Sequence, residues 1–321
     1  MKIFITGASG FVGHAVIKQL GQEHEFIALS RSDKSDKIIT EVGATPTRGE
    51  LGQLDQSVLD TSDIVIHAAA RVEQFGTFEQ FWETNVNGTR QLLEVAQAAG
   101  VKRFIHIGTE ASVFYGQDMV TIDETTPLAF YSPYLYSKTK AYAEDAVIKA
   151  NDPDNNFTTL SIRPRMIWGP DDKTILPVVL DMIAKNKFIW LDGGKNKTVT
   201  TNIHNLVHGI ELALTKGTGG QAYFITDDEI MTIKEFLTAL IQTQNITVPD
   251  KSAPGWLISL IARITEFSWK LLPLKSDPPL SRFAIDITRR ECTININKAR
   301  KELDYKPVIN VEVGLEEITA M

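Results

Sequence analysis

Short apolar runs alternate along the chain with stretches in which apolar residues recur every three or four positions. Ile3 to Ile5 reads as a buried strand, and after Thr6-Gly7 the positions Val12, Val16 and Leu20 share one face of a helix. Residues 25–30 predict a second strand, 38–42 a short helix, and a third strand leads into Arg48-Gly-Glu-Leu51. Residues 62–70 give a fourth strand and its end. A helix over about 78–99 turns Phe81, Val86, Leu92, Leu93 and Val95 toward a core. Asn85-Val-Asn-Gly88 interrupts it, with Asn85 suited to bonding nearby backbone, and Gly100 closes it. Strands five and six are expected at 101–107 and 157–162. Strands alternating with helices imply parallel βαβ units, so the fold class is α/β with a doubly wound parallel sheet. In such a sheet the ligand lies outside the carboxyl ends of the strands, where Gly7, Arg31, Ala68 and Thr109 all fall.

The second half is less regular. A helix is expected over 174–187, a turn at Asp192-Gly-Gly194, and a short strand over 198–203 leading into a helix over 205–214. Residues 278–283 read as an irregular connector, and Asn297 as the cap of a helix running to Leu303. Residues 254–274 are strongly apolar, yet Ser259, Arg263, Glu266 and Lys270 form one polar stripe. A membrane span would pay ~2.5 to 3.5 kcal/mol for each central charge, so an amphipathic helix with a wide apolar face is the reading. Four roles stay open for that face: a lid over an apolar substrate, a peripheral contact with a membrane surface, a dimer contact, or ordinary packing.

Composition narrows the function. Of 321 residues, 43% are hydrophobic and 23% charged, as in soluble globular proteins, and a net charge of −7 argues against nucleic acid as a partner. Cys292 is the sole cysteine, so no intrachain disulfide is available, and no metal-ligand cluster is visible. The six histidines are scattered and read as structural or solvent-facing. The chain enters a strand at once, without a charged leader, and a cytoplasmic setting is expected.

The candidate chemistry sits at the strand ends. Gly7, Gly10 and Gly13 lie between strand and helix, where they permit a tight turn, close approach of a pyrophosphate, and tight helix packing. The helix adds free N–H groups and its positive dipole end. Past the second strand stands Ser30-Arg31-Ser32, with Asp33 one step late for a ribose hydroxyl, which favours NADP(H) over NAD(H), with Lys34 as an assistant. Small residues Ala68, Ala69 and Ala70 allow a cofactor to crowd the backbone. A tyrosine and a lysine four apart share a helix face, and a nearby ammonium favours phenolate. Tyr136 and Lys140 fit that spacing, and Tyr134 and Lys138 compete with them. Thr109 is positioned to hold a substrate oxygen, with Ser112 as the second candidate.

These motifs resemble the extended branch of the short-chain dehydrogenase/reductase superfamily. The resemblance rests on Thr6-Gly7-x-x-Gly10-x-x-Gly13, Asn85-Val-Asn-Gly-Thr89, Tyr-x-x-x-Lys, and Arg163-Pro-Arg-Met-Ile-Trp-Gly-Pro170, and continues to the segment 296–307. The chain is most similar to the 3β-hydroxysteroid dehydrogenase-like subgroup, whose bacterial members include reductases of long-chain 2-alkyl-3-oxoalkanoates. The resemblance implies a Rossmann domain mainly over 1–165 and a smaller C-terminal substrate lobe mainly over 166–321, with about 198–225 returning to the core. It implies cofactor contacts from Gly7, Ser9, Gly10, Phe11, Val12, Gly13, Arg31, Glu50, Leu51, Ala68, Ala69, Ala70, Tyr136, Lys140, Pro164 and Met166. Tyr136, Lys140 and Thr109 would be catalytic, with Glu144 four past the lysine favouring this register. The expected activity interconverts a secondary alcohol and a ketone on an apolar small-molecule substrate, steroid-like or long-chain 3-oxo, and a homodimer is a family expectation. Two alternatives stand beside it. One is a nucleotide-sugar epimerase or reductase, with Arg282, Arg289 and Arg290 as a basic pocket, although Thr109-Glu110-Ala111 lacks the second acid of sugar-nucleotide dehydratases. The other is a catalytically silent cofactor-sensing regulator.

Overall fold

The computed structural model describes residues 1–73, 75–271 and 280–321, with backbone only for Lys270 and Leu271. Its centre is a parallel sheet of seven strands. Five come in sequence: β1 (Lys2–Thr6), β2 (Glu25–Ser30), β3 (Thr45–Arg48), β4 (Ile64–His67) and β5 (Arg103–Ile107). Strands Thr158–Arg163 and Gln221–Phe224 complete it beyond β5. The chain winds outward from β1 to β2 and β3, then crosses back to place β4 on the other side of β1. The winding therefore reverses between β1 and β4, the place where such sheets open a ligand crevice. Ile3, Phe4, Ile5, Val65, Ile66 and Ile105 are fully covered because helices pack on both faces, which explains why these strands read as unbroken apolar runs.

Helices α1 (Phe11–Leu20), α2 (Asp33–Glu41), α3 (Phe78–Trp82), α4 (Gly88–Ala98) and α5 (Leu135–Lys149) flank the sheet. The interruption expected at Asn85 is a wide helical turn, Glu83–Asn87, joining α3 to α4. There Asn85 accepts from Arg71 N (2.7 Å) and donates to Arg71 O (3.2 Å) and Thr139 Oγ1 (3.1 Å), tying this turn to α5. A second sheet joins Met119–Ile122, Lys197–Thr198, Met231–Thr232 and Cys292–Ile294. A separate apolar cluster gathers Trp168, Phe188, Trp190, Phe236 and Leu240.

Several boundaries differ from expectation for local reasons. Helix α2 starts at Asp33, because the Ser32 side chain accepts from Ser35 N (3.2 Å) and caps it. The strand expected over 198–203 is two short pieces, Lys197–Thr198 and Thr201–Asn202, in different sheets. The helix expected over 174–187 is confined to Leu176–Ala184. Asn297 is not a cap: it opens the helix Asn297–Glu302, and Asn295 Oδ1 accepts its N–H at 2.9 Å. The connector expected over 278–283 ends in a helix, Arg282–Arg289, capped by Ser281; Pro278 and Pro279 lie outside the described residues.

The amphipathic helix exists as Gly255–Leu271, but its faces are inverted. Ser259 Oγ donates to Asp286, and Glu266 Oε1 accepts Arg282 N at 2.8 Å, so these polar residues face inward. Trp256, Leu257, Leu260, Ile261, Ile264 and Phe267 are 38–64% exposed, which removes ordinary packing as the role of that face. Arg263 is exposed, while the Lys270 side chain and residues 272–274 lie outside the described residues. Among the described residues no helix is long and apolar enough to cross a membrane.

Helix α5 is fastened to the sheet by a buried ion pair. Arg163 Nε donates to Glu144 Oε1 (2.9 Å), Ser161 Oγ donates to Glu144 Oε2 (3.1 Å), and the Arg163 guanidinium stacks on Phe224 at 5.1 Å. Removing one partner strands the other charge, so Arg163→Met is expected to cost about 3–5 kcal/mol. Urea unfolding checks this, with Glu144→Leu/Arg163→Met expected to recover most of the loss; an unchanged midpoint in the single variant contradicts it.

Candidate active site

The crevice between β1 and β4 is built by absent side chains. Gly7 has φ +76°, and a Cβ there would stand 2.8 Å from Ala68 C and Ala69 N. A Cβ on Gly13 would stand 2.4 Å from Gly7 O, so only glycine lets α1 approach this closely. Gly10 is exposed at the cap of α1, with no side-chain cap and no acid in the first turn. The amides of Phe11, Val12 and Gly13 therefore lack helical partners and face the crevice as an anion cradle. Ser9, Phe11 and Val12 are half-buried around it, and Ala68, Ala69 and Ala70 form its opposite, half-buried wall. Thr6 Oγ1 fixes that wall by accepting Ala69 N at 3.1 Å. This backbone cradle fits a dinucleotide pyrophosphate.

At the end of β2 a cleft of about 350 Å3 is lined by Ser30, Arg31, Arg48, Gly49 and Glu50. Arg31 is exposed there, and among the described residues no ion pair engages it. Arg48 pairs with both Asp33 and Asp36, and the Asp33 side chain is fully exposed. Leu51 turns away from this cleft and packs over Gly88, where a Cβ would meet its Cγ at 2.7 Å.

Beyond the crevice, at the start of α5, Tyr136 is half-buried beside Thr109 and Glu110. Burial and the Glu110 carboxylate push its phenol above the ordinary tyrosine value, and the bond with Thr109 acts the other way. Thr109 Oγ1 donates to Glu110 Oε2 (2.7 Å) and accepts Ala111 N (3.2 Å). Glu110 is in turn paired with buried Arg165 at 2.8 Å. The Ser112 hydroxyl is turned to Thr109 O at 2.9 Å. Pro164 is buried behind Glu110, its carbonyl accepting Glu110 N at 3.2 Å, and Met166 follows with a left-handed φ of +41°.

Lys140 departs from expectation. Its ammonium donates to Ile107 O (2.8 Å) and to His106 Nε2 (3.0 Å), at the end of β5. The bonds of this ammonium thus lie at the end of β5, and the groups that shift the Tyr136 phenol are Glu110 and Thr109. Burial brings Lys140 down to about 8 from 10.5. Burial also holds His106 well below its usual range and His67 down to about 3, so both imidazoles are neutral and His106 can accept. His106, Glu110 and Arg165 escaped sequence reasoning. A histidine in the apolar run Phe104-Ile105-His106-Ile107 was the visible signal.

Tyr134, of the competing pair, is turned into the protein. It is buried, stacked on Phe114 at 5.3 Å, and donates to Asp286 Oδ2 at 2.7 Å. Lys138 is half-exposed, with no ion pair among the described residues. Phe283, from the helix Arg282–Arg289, sits over Tyr136 at 5.5 Å and gives the site an apolar rim. The three arginines proposed as a basic pocket stand near two carboxylates: Arg282 and Arg289 share Asp286 at 3.6 and 3.4 Å, and Arg290 lies 3.5 Å from Asp118.

Residues 4–253 match the 3-beta hydroxysteroid dehydrogenase/isomerase family. The chain belongs to that family. It is thus an oxidoreductase acting on CH–OH groups, within the NAD(P)-binding extended short-chain dehydrogenase/reductases. It is 35% identical to a 4-hydroxy-2-methyl-3-oxo-4-farnesyl-3,4-dihydroquinoline-1-oxide ketoreductase of Stigmatella aurantiaca, over 98% of this chain and 95% of that one. It is 31% identical to a 2-alkyl-3-oxoalkanoate reductase of Stenotrophomonas maltophilia, over 100% and 99%. Its fold is that of a UDP-glucuronic acid 4-epimerase of Bacillus cereus solved with NAD, at a TM-score of 0.76, 19% identity, and coverage of 100% and 99%.

Within this family member, Lys140 leaves a pH signature. Its folded value of about 8 lies below 10.5, so burying the charged amine costs stability below about 8. That cost is relieved as pH rises toward 10.5. In cofactor-free protein, wild type is expected to gain unfolding free energy on Lys140→Met across this window. A gap that stays constant in urea titrations contradicts the assignment.

Proposed function

We propose that this enzyme reduces a ketone on a long-chain or polycyclic apolar substrate, with NADP(H) preferred over NAD(H). The observation that carries the reading is the Tyr136 phenol, held protonated beside Thr109 under the apolar rim of Phe283. A bound nicotinamide dinucleotide supplies the hydride. Gly7, Ser9, Gly10, Phe11, Val12 and Gly13 bind its pyrophosphate, with Ala68 to Ala70, Pro164 and Met166 forming the walls. Arg31, Glu50 and the Arg48 edge of the cleft receive the adenosine ribose. Arg31 lines the cleft with no ion pair among the described residues, which supports a 2′-phosphate there.

Tyr136 delivers its proton to the carbonyl oxygen as the alcohol forms. An ordinary phenol, at about 10, is neutral at pH 7, so Tyr136 carries the proton it would give. Thr109 steadies the same oxygen once its hydroxyl swings from Glu110. Lys140 orients α5 from the end of β5, and would meet a cofactor ribose only on leaving Ile107 O and His106. In this reading residues 1–165 mainly serve the cofactor and 166–321 mainly the substrate. Names of the relatives, a farnesylated 3-oxo quinoline and 2-alkyl-3-oxoalkanoates, support an apolar ketone. The sugar-nucleotide alternative is disfavoured by arginines already bound to carboxylates, and the silent-regulator alternative by an assembled Tyr136 and Thr109.

Steady-state assays with NADPH and 2-alkyl-3-oxoacids or farnesylated ketones test this. Tyr136→Phe is expected to lower kcat about a thousandfold, while Tyr134→Phe keeps most of the turnover of its folded fraction. Equal activity of Tyr136→Phe and wild type contradicts the assignment. Arg31→Asp is expected to raise KM for NADPH roughly tenfold and spare NADH; an unchanged preference removes Arg31 from the cofactor site.

A further inference from the structure

The helix Gly255–Leu271 carries six of the large exposed apolar side chains of the described residues, on one arc: Trp256, Leu257, Leu260, Ile261, Ile264 and Phe267. A contiguous exposed patch of this kind marks an interaction surface. The helix cannot simply roll to bury it, because the opposite side is locked by Ser259 on Asp286 and by Glu266 on Arg282 N. Asp286 is further held by Tyr134 (2.7 Å) and Arg289 (3.4 Å).

We infer that this face docks on an anionic lipid surface, lying in the plane of the headgroups. The charges match that occupant. The acid of the helix, Glu266, is turned inward, and the exposed Arg263 borders the arc beside Trp256 and Phe267. The patch is thus apolar with a cationic edge, on a chain whose net charge is −7. Trp256, Ile264 and Phe267 are 58–64% exposed and form a ridge rather than a flat plate. A ridge inserts into a fluid interface, with tryptophan and arginine at headgroup depth. The same docking brings the active-site rim to the bilayer, since Phe283 on the adjacent helix touches the ring of Tyr136. This inference does not depend on which ketone is reduced.

Co-sedimentation of the full-length protein with vesicles of phosphatidylcholine, alone or with phosphatidylglycerol, tests it. Wild type is expected to pellet with the anionic vesicles. Trp256→Ser/Ile264→Ser/Phe267→Ser is expected to bind about tenfold less while unfolding at the wild-type temperature and keeping turnover of a soluble ketone. Arg263→Glu is expected to weaken binding to anionic vesicles about fivefold or more, without changing binding to phosphatidylcholine. Wild type remaining in the supernatant, or the triple variant binding as wild type does, overturns the inference. So does light scattering that shows a vesicle-free dimer which the triple variant dissolves, since the face then belongs to a second copy.

Discussion

The structure turns on one buried amine. Lys140 lies within the sheet–helix interface, and its ammonium is satisfied by the last carbonyl of β5 and by neutral His106. A charge so deeply buried is tolerated only with fixed partners. Those partners fix the rotation of α5 about its own axis. With α5 set, Tyr136 faces the crevice and Tyr134 faces Asp286, so the choice between two adjacent tyrosines follows from where one lysine finds its hydrogen bonds. Glu144, one turn further on, adds a second fastening through Arg163.

Electrostatics beneath the site follows a consistent plan. Two buried ion pairs, Glu144–Arg163 and Glu110–Arg165, flank the helix that carries Tyr136. Neither adds much net stability, because desolvation offsets attraction, but each is costly to break singly. They act as rigid struts. Glu110 also engages the Thr109 hydroxyl, and its carboxylate adds to burial in raising the Tyr136 phenol. Phe114 stacks on Tyr134, and Phe283 packs tilted against Tyr134 at 5.6 Å, so three rings run side by side here.

The sheet and its ligand end were legible in the sequence because buried parallel strands and glycine-lined turns leave strong local patterns. The opening loop needed no tertiary information: its glycines are demanded by contacts within a few residues and with Ala68. What escaped was decided at long range. Lys140 was expected to tune Tyr136, but its partners lie in a strand more than thirty residues earlier. Tyr134 could not be separated from Tyr136 because Asp286, its partner, is 152 residues away. The Gly255–Leu271 helix had the right amphipathic period, but period alone gives no sign of which face is covered. Asp286 and the Arg282 amide drew Ser259 and Glu266 of its polar stripe inward, while Arg263 stays exposed.

In the function proposed above, the crevice at the chain reversal serves the cofactor, and the phenol beside Thr109 under its apolar rim serves the ketone. A crystal structure of the enzyme with NADP+ and a non-reducible alcohol analogue tests this most directly. The account predicts the analogue's hydroxyl oxygen within hydrogen-bond distance of Tyr136 Oη, with Tyr134 still on Asp286. An oxygen held by Tyr134, or bound away from both tyrosines, would contradict it.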